Sequence, residues 1–568
     1  MDKRWTPTPL PAEDQSSGLS QKLNVSKVIS DLLLQRGIND FESAKSFFRP
    51  NIGQLYSPFL MKGMDAAVRC LGMALEQQKK IMVYGDYDVD GTSAVALVYG
   101  FLKKYHNNIE FYIPDRYGEG YGVSHQGMSY AIDQGVDLLI TLDCGIKAVE
   151  TLKIATDAGI DVIICDHHFP GNELPIATAI LNPKQKDCAY PFKELCGCGV
   201  GFKLLQGLVE KYNLEEEVLW AQLDLVAIAT AADIVPIVDE NRTLTALGLS
   251  VINSDPRPGI QALFEAAGNK KEIGVGDLVF TVAPRINAAG RIEHGKEAVK
   301  LLSRDEMDEA TNLAKNLHVL NMERRQLDQE MAAEALEQIL ARGLGEKNTT
   351  VVYDPSWHKG VVGIVASRLT ETYYRPTVVL CKSDDKITGS VRSVKGFDVH
   401  DALCECSDYL EQFGGHKYAA GLTMKADRLD AFSQKFEEVV SRKIPKELLI
   451  PEIEYDHELH LSQITGKFYN VLKQMAPFGP GNLAPLFLFK EVFVQGRSRI
   501  LGGKHLKFNV TQSGTESIHF PCIAFGMAEK LQFIENQKPF QMLASIEENH
   551  WNGRVELQLV VKDIKPEF

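Results

Sequence analysis

Short apolar runs, most of them closed by an acidic residue, recur from residue 79 onward as "KKIMVYGD", "NNIEFYIPD", "VDLLITLD" and "IDVIICDHH". Helical stretches such as "TSAVALVYGFLKKY" and "GIKAVETLKIATDAG" lie between them. Strand and helix alternating at this period predict an α/β domain with a parallel sheet. Acidic residues at the carboxyl ends of parallel strands stand where open α/β sheets bind ligands. Asp86, Asp88 and Asp90, then Asp143, then Asp166–His167–His168 are therefore expected to converge on one rim. The run "LDLVAIATAADIVPI" reads as a buried helix delivering Asp233 into a loop.

Residues 1–75 are mixed and helical ("SKVISDLLLQRGI", "DFESAKSFF") and are expected to form an N-terminal helical cap. A long helical pattern begins near Ser303, which has capping-box spacing to Glu306, and Gly343 is its expected stop. Roughly 38 residues at about 1.5 Å each give a rod near 55 Å, suited to a bridge between domains. A coiled-coil dimerisation helix is the alternative, but the apolar positions keep no strict heptad. A second α/β pattern follows over 346–445, and 446–568 changes to short strands separated by turn residues, which suggests a small barrel.

At 568 residues the chain exceeds one core, and roughly three or four domains are expected. The start lacks an apolar h-region and is not read as a secretory signal; no apolar run reaches the length of a membrane span. Ten scattered cysteines fit reduced thiols of a cytosolic protein. Cys196 and Cys198 of "LCGCGVG" lack a second pair at zinc spacing and read as small core residues at a tight turn. The net charge of −14 argues mildly against a nucleic-acid binder, although residues 486–568, with ten Lys/Arg against nine Asp/Glu, escape that acidity.

Three aspartates within 86–90 repel one another, and a divalent cation is the usual reason such a cluster is tolerated. Each candidate has an innocent reading alone. Asp143 can cap the next helix, the two histidines can be loop residues stacked on the sheet, and Asp233 can end a helix. Together they describe a mixed carboxylate and imidazole site, which favours Mn²⁺ or Mg²⁺ over zinc. A bridging carboxylate with flanking ligands is how two-metal hydrolases hold ions about 4 Å apart, so phosphoester hydrolysis is the leading reaction class.

The motifs "YGDYDVDGTSA", "LITLDCG", "DHH", "ADIVP", "PRINAAGR", "WHKGVVGIVASRL", "GSVRS", "FGGHKYAAG" and "APFGPGN" occur in order. With them the chain, over about residues 45–565, resembles the DHH phosphoesterase superfamily and, within it, the branch of bacterial single-strand-specific exonucleases. The resemblance implies a parallel-sheet DHH catalytic domain over 76–302 and a connecting helix over 303–345. It further implies an α/β DHH-associated domain over 346–445 and an oligonucleotide-binding (OB)-like β-barrel over 446–568. The implied activity is processive 5′-to-3′ hydrolysis of single-stranded DNA to 5′-mononucleotides, in DNA repair and recombination. Implied with it are two divalent ions, Mn²⁺ or Mg²⁺, and a cytoplasmic monomer, with single-strand-binding protein and a RecQ-type helicase as candidate partners. Carried over by position, Asp88 and Asp90 are ligands on different metals with Asp86 beside them, Asp143 bridges, His167 binds metal and Asp233 closes the site. His168 faces the scissile phosphate. Many DHH hydrolases have a metal-binding histidine where this chain has Tyr84, so either Asp86 substitutes or the first metal is held more loosely.

Arginine suits phosphate because its planar fork binds bidentately. Arg116 in "IPDRYGEGYG" and Arg285, Asn287 and Arg291 in "PRINAAGR" are substrate-binding candidates; the alternative for Arg285 is an ion pair with a nearby carboxylate. Ser390 and Arg392 of "GSVRS", and Gly414, Gly415 and His416 of "FGGH", join them. Glycines let backbone N–H groups approach an anion closely. By resemblance, Arg116, Arg291, Ser390 and Arg392 form a pocket for a 5′-terminal phosphate. In the barrel, Arg497, Lys504, Lys507 and Trp551 are candidates for gripping a single strand, with Phe508 assigned to the core because strands alternate faces. The rival readings are a DHH enzyme for short oligonucleotides or cyclic dinucleotides, which needs no barrel, and an inactive DNA-binding scaffold, which would have lost ligand positions.

Overall fold

In the computed structural model, the catalytic sheet runs in the order Ile109–Tyr112, Ile81–Gly85, Leu138–Leu142, Asp161–Cys165, Ala179–Leu181, with every neighbouring pair parallel. The structure describes residues 2–269, 272–514, 517–535, 538–551 and 553–567. The Ile81–Gly85 and Leu138–Leu142 strands are buried throughout, which is why they read as unbroken apolar runs. In chain order the sheet is 2-1-3-4-5, so its crossovers diverge between the first and third strands. A crevice opens there at the carboxyl ends. Asp86 follows the first strand and Asp143 the third.

The second α/β region carries a mixed sheet in the order Gln412–His416, Ala419–Lys425, Lys386–Arg392, Thr377–Ser383, Thr350–Asp354, of which only the last pair is parallel. The long helix spans Met307–Ala341. It begins after Ser303, whose hydroxyl donates back to the Val299 carbonyl and so belongs to the preceding turn; Glu306 is the N-cap and makes no side-chain cap bond. Gly343 follows in the left-handed region at φ 61°. The helix packs against the Pro258–Ala266 and Ala283–Ile292 helices, and Met331, Ala332, Ala335 and Ile339 enter the core beneath the second sheet.

Residues divide into two compact units, one of 1–3, 56–233 and 248–451, the other of 4–55, 234–247 and 452–568. The second contains an OB-type barrel in the order Phe487–Leu501, His505–Gln512, Phe520–Ala524, Arg554–Pro566, Phe540–Trp551, closed by pairing of the last strand with the first. The cap expected over 1–75 is divided between the units. The Met64–Glu76 helix belongs to the catalytic unit, while Leu19, Val28, Ile29, Leu32 and Leu33 share one core with Leu461, Phe468, Leu472, Phe487 and Phe489 of the barrel unit. The Arg4–Pro7 strand also pairs in parallel with Glu452–Tyr455. Helical periodicity announces that a face must be covered but not which surface covers it, hence the difference from the sequence expectation.

Leu32 is wholly buried in this shared core. Leu32→Ala should therefore destabilise the barrel unit by about 2–5 kcal/mol, read as a lower denaturation midpoint of barrel-tryptophan or hydrogen-exchange signals. An unshifted midpoint would show that the N-terminal helices do not hold the barrel.

Candidate active site

At the crevice the backbone is shaped around carboxylates. Asp88 is the N-cap of the Val89–Lys103 helix, its Oδ1 accepting from Gly91 N–H at 2.9 Å, and Asp90 stands in the first turn. A Cβ on Gly91 would lie 2.5 Å from the Asp86 carbonyl oxygen, so only glycine lets this loop fold back on the helix. Asp143 has φ 59°, left-handed for a residue with a side chain, and its N–H donates to Cys165 O at 2.9 Å. Such a conformation persists only where its surroundings enforce it, and it clusters at functional sites.

The helix Gly197–Tyr212 points its first N–H groups at Asp90: Gly197 donates at 2.6 Å and Cys198 at 2.8 Å. A Cβ on Gly197 would sit 2.5 Å from that of Asp143. Cys196 is the N-cap of this helix, its Sγ accepting from Gly199 N–H, and both Cys196 and Cys198 are buried. The "LCGCGVG" segment is thus a helix end built to hold a carboxylate, a function sequence reading missed although the glycines signal it.

Around this frame the donors converge. His167 Nε2 lies 3.1 Å from Asp143 Oδ1, 3.6 Å from Asp233 Oδ2 and 3.9 Å from Asp90 Oδ2. Ligand atoms of Asp143, His167 and His168, and again of Asp90, His167 and Asp233, lie within 4.8 Å of one another. His167 is the member common to both groups, where the resemblance gives Asp143 the shared place. Asp86 is fully buried, its Oδ1 accepting from Gly122 N–H at 3.3 Å. Tyr84 donates its hydroxyl to Gly122 O at 2.9 Å and stacks on Tyr112, so it is turned away from the cluster. The oxygen free at that end is Asp86 Oδ2.

The test for a cation lies in four buried atoms without a hydrogen bond: Asp86 Oδ2, Asp143 Oδ1 and both ring nitrogens of His167. Buried polar atoms are normally satisfied, and this donor set fits a hard divalent ion of the Mn²⁺ or Mg²⁺ type. Electrostatics agree. Burial, then Asp88, pushes Asp90 up to about 7; burial, then Asp90 and Asp88, pushes Asp233 up to about 9. Asp143 and Asp86 are raised by burial and then by neighbouring carboxylates, and burial lowers His167 to about 3. A bound cation reverses each of the carboxylate shifts.

Asp166, wholly buried, serves the histidines. Its Oδ1 accepts from His167 N–H at 2.7 Å, His168 N–H at 3.0 Å and His168 Nδ1 at 2.7 Å, and its Oδ2 accepts from Ile146 N–H at 2.9 Å. Burial opposes ionisation of Asp166, but the His168 bond and charge outweigh it and its pKa is lowered. His168 is likewise raised, the Asp166 bond and charge overcoming burial. Its Nε2 lies 3.1 Å from the Tyr121 hydroxyl. Asp166, placed on the rim from sequence with His167 and His168, thus holds the histidines and is not among the clustered ligand atoms, while Tyr121 was not singled out from sequence.

Beside the cluster a cavity of about 270 Å³ is lined by Arg116, Arg291, Lys359, Ser390, Arg392 and Gly363 among others, four cations and no carboxylate among its lining residues. Arg392 Nη1 donates to Ser390 Oγ at 2.7 Å, Arg291 Nη1 donates to Gly360 O at 2.9 Å, and Arg116 lies 4.7 Å over the Tyr87 ring. Burial, then Arg116 and Arg324, lowers Arg291 to about 10, the mirror image of the carboxylate cluster. Gly363 stands in the first turn of the Val362–Tyr373 helix, where a Cβ would come 3.1 Å from Arg392 Nη2 and crowd the pocket. Lys359 was missed, though "HKGVVG" ahead of a helix is an anion-site signal.

Two sequence candidates fall outside this pocket. Arg285 is buried, donates from Nη1 to Thr281 O at 2.6 Å and meets His318 Nδ1 of the long helix at 3.1 Å; it does not line this cavity and, among the described residues, makes no carboxylate pair. Six residues apart on one helix, Arg285 and Arg291 point about 120° apart. Asn287 is half-buried and does not line the cavity. Gly415 and His416 instead line a second cavity of about 490 Å³ that also touches His168, Tyr121 and Lys147. Gly414 precedes them in the Gln412–His416 edge strand. In the barrel Arg497, Lys504 and Lys507 are exposed and Phe508 is core. Trp551 ends its strand, but its side chain lies outside the described residues.

A parallel sheet of this order with a buried carboxylate–imidazole centre at its switch point, joined by a long helix to a mixed-sheet α/β region, defines a DHH-type metal-site protein. The DHH family N-terminal domain matches residues 80–230, the DHHA1 domain 346–442 and the RecJ OB domain 455–563. The chain belongs to the RecJ family. It is 38% identical over 562 residues to the single-stranded-DNA-specific exonuclease RecJ of Bacillus subtilis, covering 97% of this chain and 70% of that protein. It is 36% identical over 529 residues to the protein of the same name from Escherichia coli, covering 89% and 91%. The crystal structure of RecJ in complex with Mn²⁺ from Thermus thermophilus superposes with a TM-score of 0.84 at 30% identity, over 100% of this chain and 80% of that one.

Asp143→Ala should abolish the rise in melting temperature that Mn²⁺ gives the wild type, and raise the metal-free melting temperature by relieving repulsion. A normal Mn²⁺ response in that variant would remove Asp143 from the centre. A second outcome follows from pH. Asp90 and Asp233 have folded values above the ordinary carboxylate value of about 4, so the stability they withhold from the metal-free protein grows as pH rises through about 4 to 9. The stabilisation by Mn²⁺ should therefore be larger at pH 8.5 than at pH 6 in paired thermal melts, and a flat difference would contradict it.

Proposed function

We propose that this protein is a metal-dependent exonuclease that hydrolyses single-stranded DNA from the 5′ end to 5′-mononucleotides, as its curated relatives' names and the order of its motifs support. The observation that carries the reading is the adjacency of an anion pocket and a cation centre. Tyr87, under Arg116, lies between Asp86 and Asp88 in the chain, and its ring meets Tyr121 with centroids 6.1 Å apart; Tyr121 in turn reaches His168. A strand whose terminal phosphate rests among Arg116, Arg291, Lys359, Ser390 and Arg392 brings its next phosphodiester toward the carboxylates.

In this reading Asp88, Asp90, Asp143, His167 and Asp233 would hold two divalent ions, with Asp86 beside them. What such ions supply is a water of lowered pKa and positive charge against the attacked phosphate. His168, braced by Asp166, offers a proton or charge to a phosphate oxygen, and Gly415 and His416 close the opposite wall. The barrel gives a surface for the strand behind the end, which favours long DNA over the small substrates of other DHH hydrolases. Repair and recombination in the cytoplasm, with single-strand-binding protein and a RecQ-type helicase as partners, complete the proposal.

Arg291→Ala or Arg392→Ala should weaken binding of a 5′-phosphorylated end by about 1.5–3 kcal/mol, roughly 10- to 100-fold, with little change for a 5′-hydroxyl end. Competition between the two ends on otherwise identical strands measures this. Wild-type phosphate preference in both variants would place end recognition elsewhere.

A further inference from the structure

Asp233 is the last residue of its stretch of the catalytic unit, and Ile234, next in the chain, opens a stretch, 234–247, that belongs to the barrel unit. The Asp233 side chain is 27% exposed, against 1% for Asp90 and 2% for Asp143. Two helix N–H groups grip Asp90, whereas no hydrogen bond reaches the Asp233 carboxylate among the described residues. Its aim therefore rests on its backbone.

That backbone is held from its barrel-unit side. Ile234 has φ 61°, a left-handed conformation that a β-branched residue keeps only where its surroundings enforce it. Pro236 fixes a further φ. Ile237, four residues after Asp233, is fully buried, and its N–H donates to Pro480 O at 2.7 Å. Pro480 lies in a turn closed by reciprocal backbone bonds between Gly479 and Asn482, each 2.9 Å. A Cβ on Gly479 would come 2.4 Å from Ile237 Cδ1, and one on Gly481 2.8 Å from Val238 Cγ1, so glycine is what lets the turn close on this stretch. The turn is itself fixed within the barrel unit. Buried Asn482 donates from Nδ2 to Met475 O at 3.0 Å and Pro477 O at 2.9 Å, and its Oδ1 accepts from Arg36 Nε at 2.9 Å. Arg242 donates to Ala476 O at 2.9 Å and lies 3.8 Å over the Phe47 ring.

We propose that the Gly479–Asn482 turn of the barrel unit is a positioning element for the metal centre, acting on Asp233 through the four-residue link to Ile237. This rests on the proposed function only in taking Asp233 as a metal ligand. A ligand must be held within about 0.5 Å of its working position. A link this short, containing a proline and a left-handed residue, passes a shift of Ile237 on to Asp233, where a flexible linker would absorb it. Such coupling is reciprocal, so metal at Asp233 steadies the turn in its own right.

The test uses the full-length protein and reads metal binding rather than cleavage, by titrating Mn²⁺ and following the electron paramagnetic resonance signal of the free ion. Gly479→Ala, which crowds Ile237, should weaken Mn²⁺ binding roughly 10- to 100-fold. Adding Ile237→Ala removes the two crowded atoms and leaves Cβ at 3.5 Å, and should restore most of the affinity. Leu559→Ala, a cavity in the barrel core, should lower the melting temperature yet leave Mn²⁺ affinity unchanged where the protein is folded. Wild-type affinity in Gly479→Ala overturns the proposal, and so does an equal loss in Leu559→Ala, which general support by the barrel would give. With no variant at the turn, Mn²⁺ should slow hydrogen exchange of the Ile237 amide in the wild type and not in Asp233→Ala; exchange indifferent to Mn²⁺ in the wild type overturns the proposal as well. A wild type that binds no Mn²⁺ strikes the proposed function and this inference with it, whereas normal binding with an indifferent turn strikes this inference alone.

Discussion

Mutual repulsion among buried carboxylates is the constraint around which the catalytic unit is arranged. At about 4 Å and an effective dielectric near 20, one such pair costs about 4 kcal/mol, and here Asp86, Asp88, Asp90, Asp143 and Asp233 act on one another. No single device offsets that. A helix N-terminus donates two N–H groups to Asp90, a left-handed backbone aims Asp143, and the sheet's switch point leaves a crevice where the charges meet. The remaining imbalance is what a divalent cation removes, so the same feature that weakens the fold creates the affinity.

The arginine pocket is the complementary half. Burial lowers Arg392, and burial, then its cationic neighbours, lowers Arg291, the reverse of the carboxylate shifts. The aromatic pair Tyr87–Tyr121 separates the two poles. A polyanion therefore meets attraction at one end of the site and, before metal binds, repulsion at the other.

Much of this was legible in the sequence because it is written in periodicity and in charge that has no structural use. Apolar runs ending in aspartate announce parallel strands and a rim, and the buried strands carry that signal at full strength. What stayed hidden depends on backbone direction or on the partner of a face. Gly197 and Cys198 act through N–H groups, which no side-chain pattern displays. Arg285 and Arg291 share a motif, yet helical geometry sends them to different neighbours. Ser303 has capping spacing but ends the previous turn. The helices of residues 4–55 show an apolar stripe whose cover lies near the other end of the chain.

That last pairing has a consequence for biosynthesis. Val28, Ile29, Leu32 and Leu33 leave the ribosome early, whereas Phe468, Phe487 and Phe489 follow some 400 residues later. At about 5–20 residues per second, the stripe stays uncovered for roughly 20–80 s while the catalytic unit is made and folds between the two halves. In a nascent chain this stripe therefore waits for its cover, and the rate of elongation sets the least time for which it stays exposed.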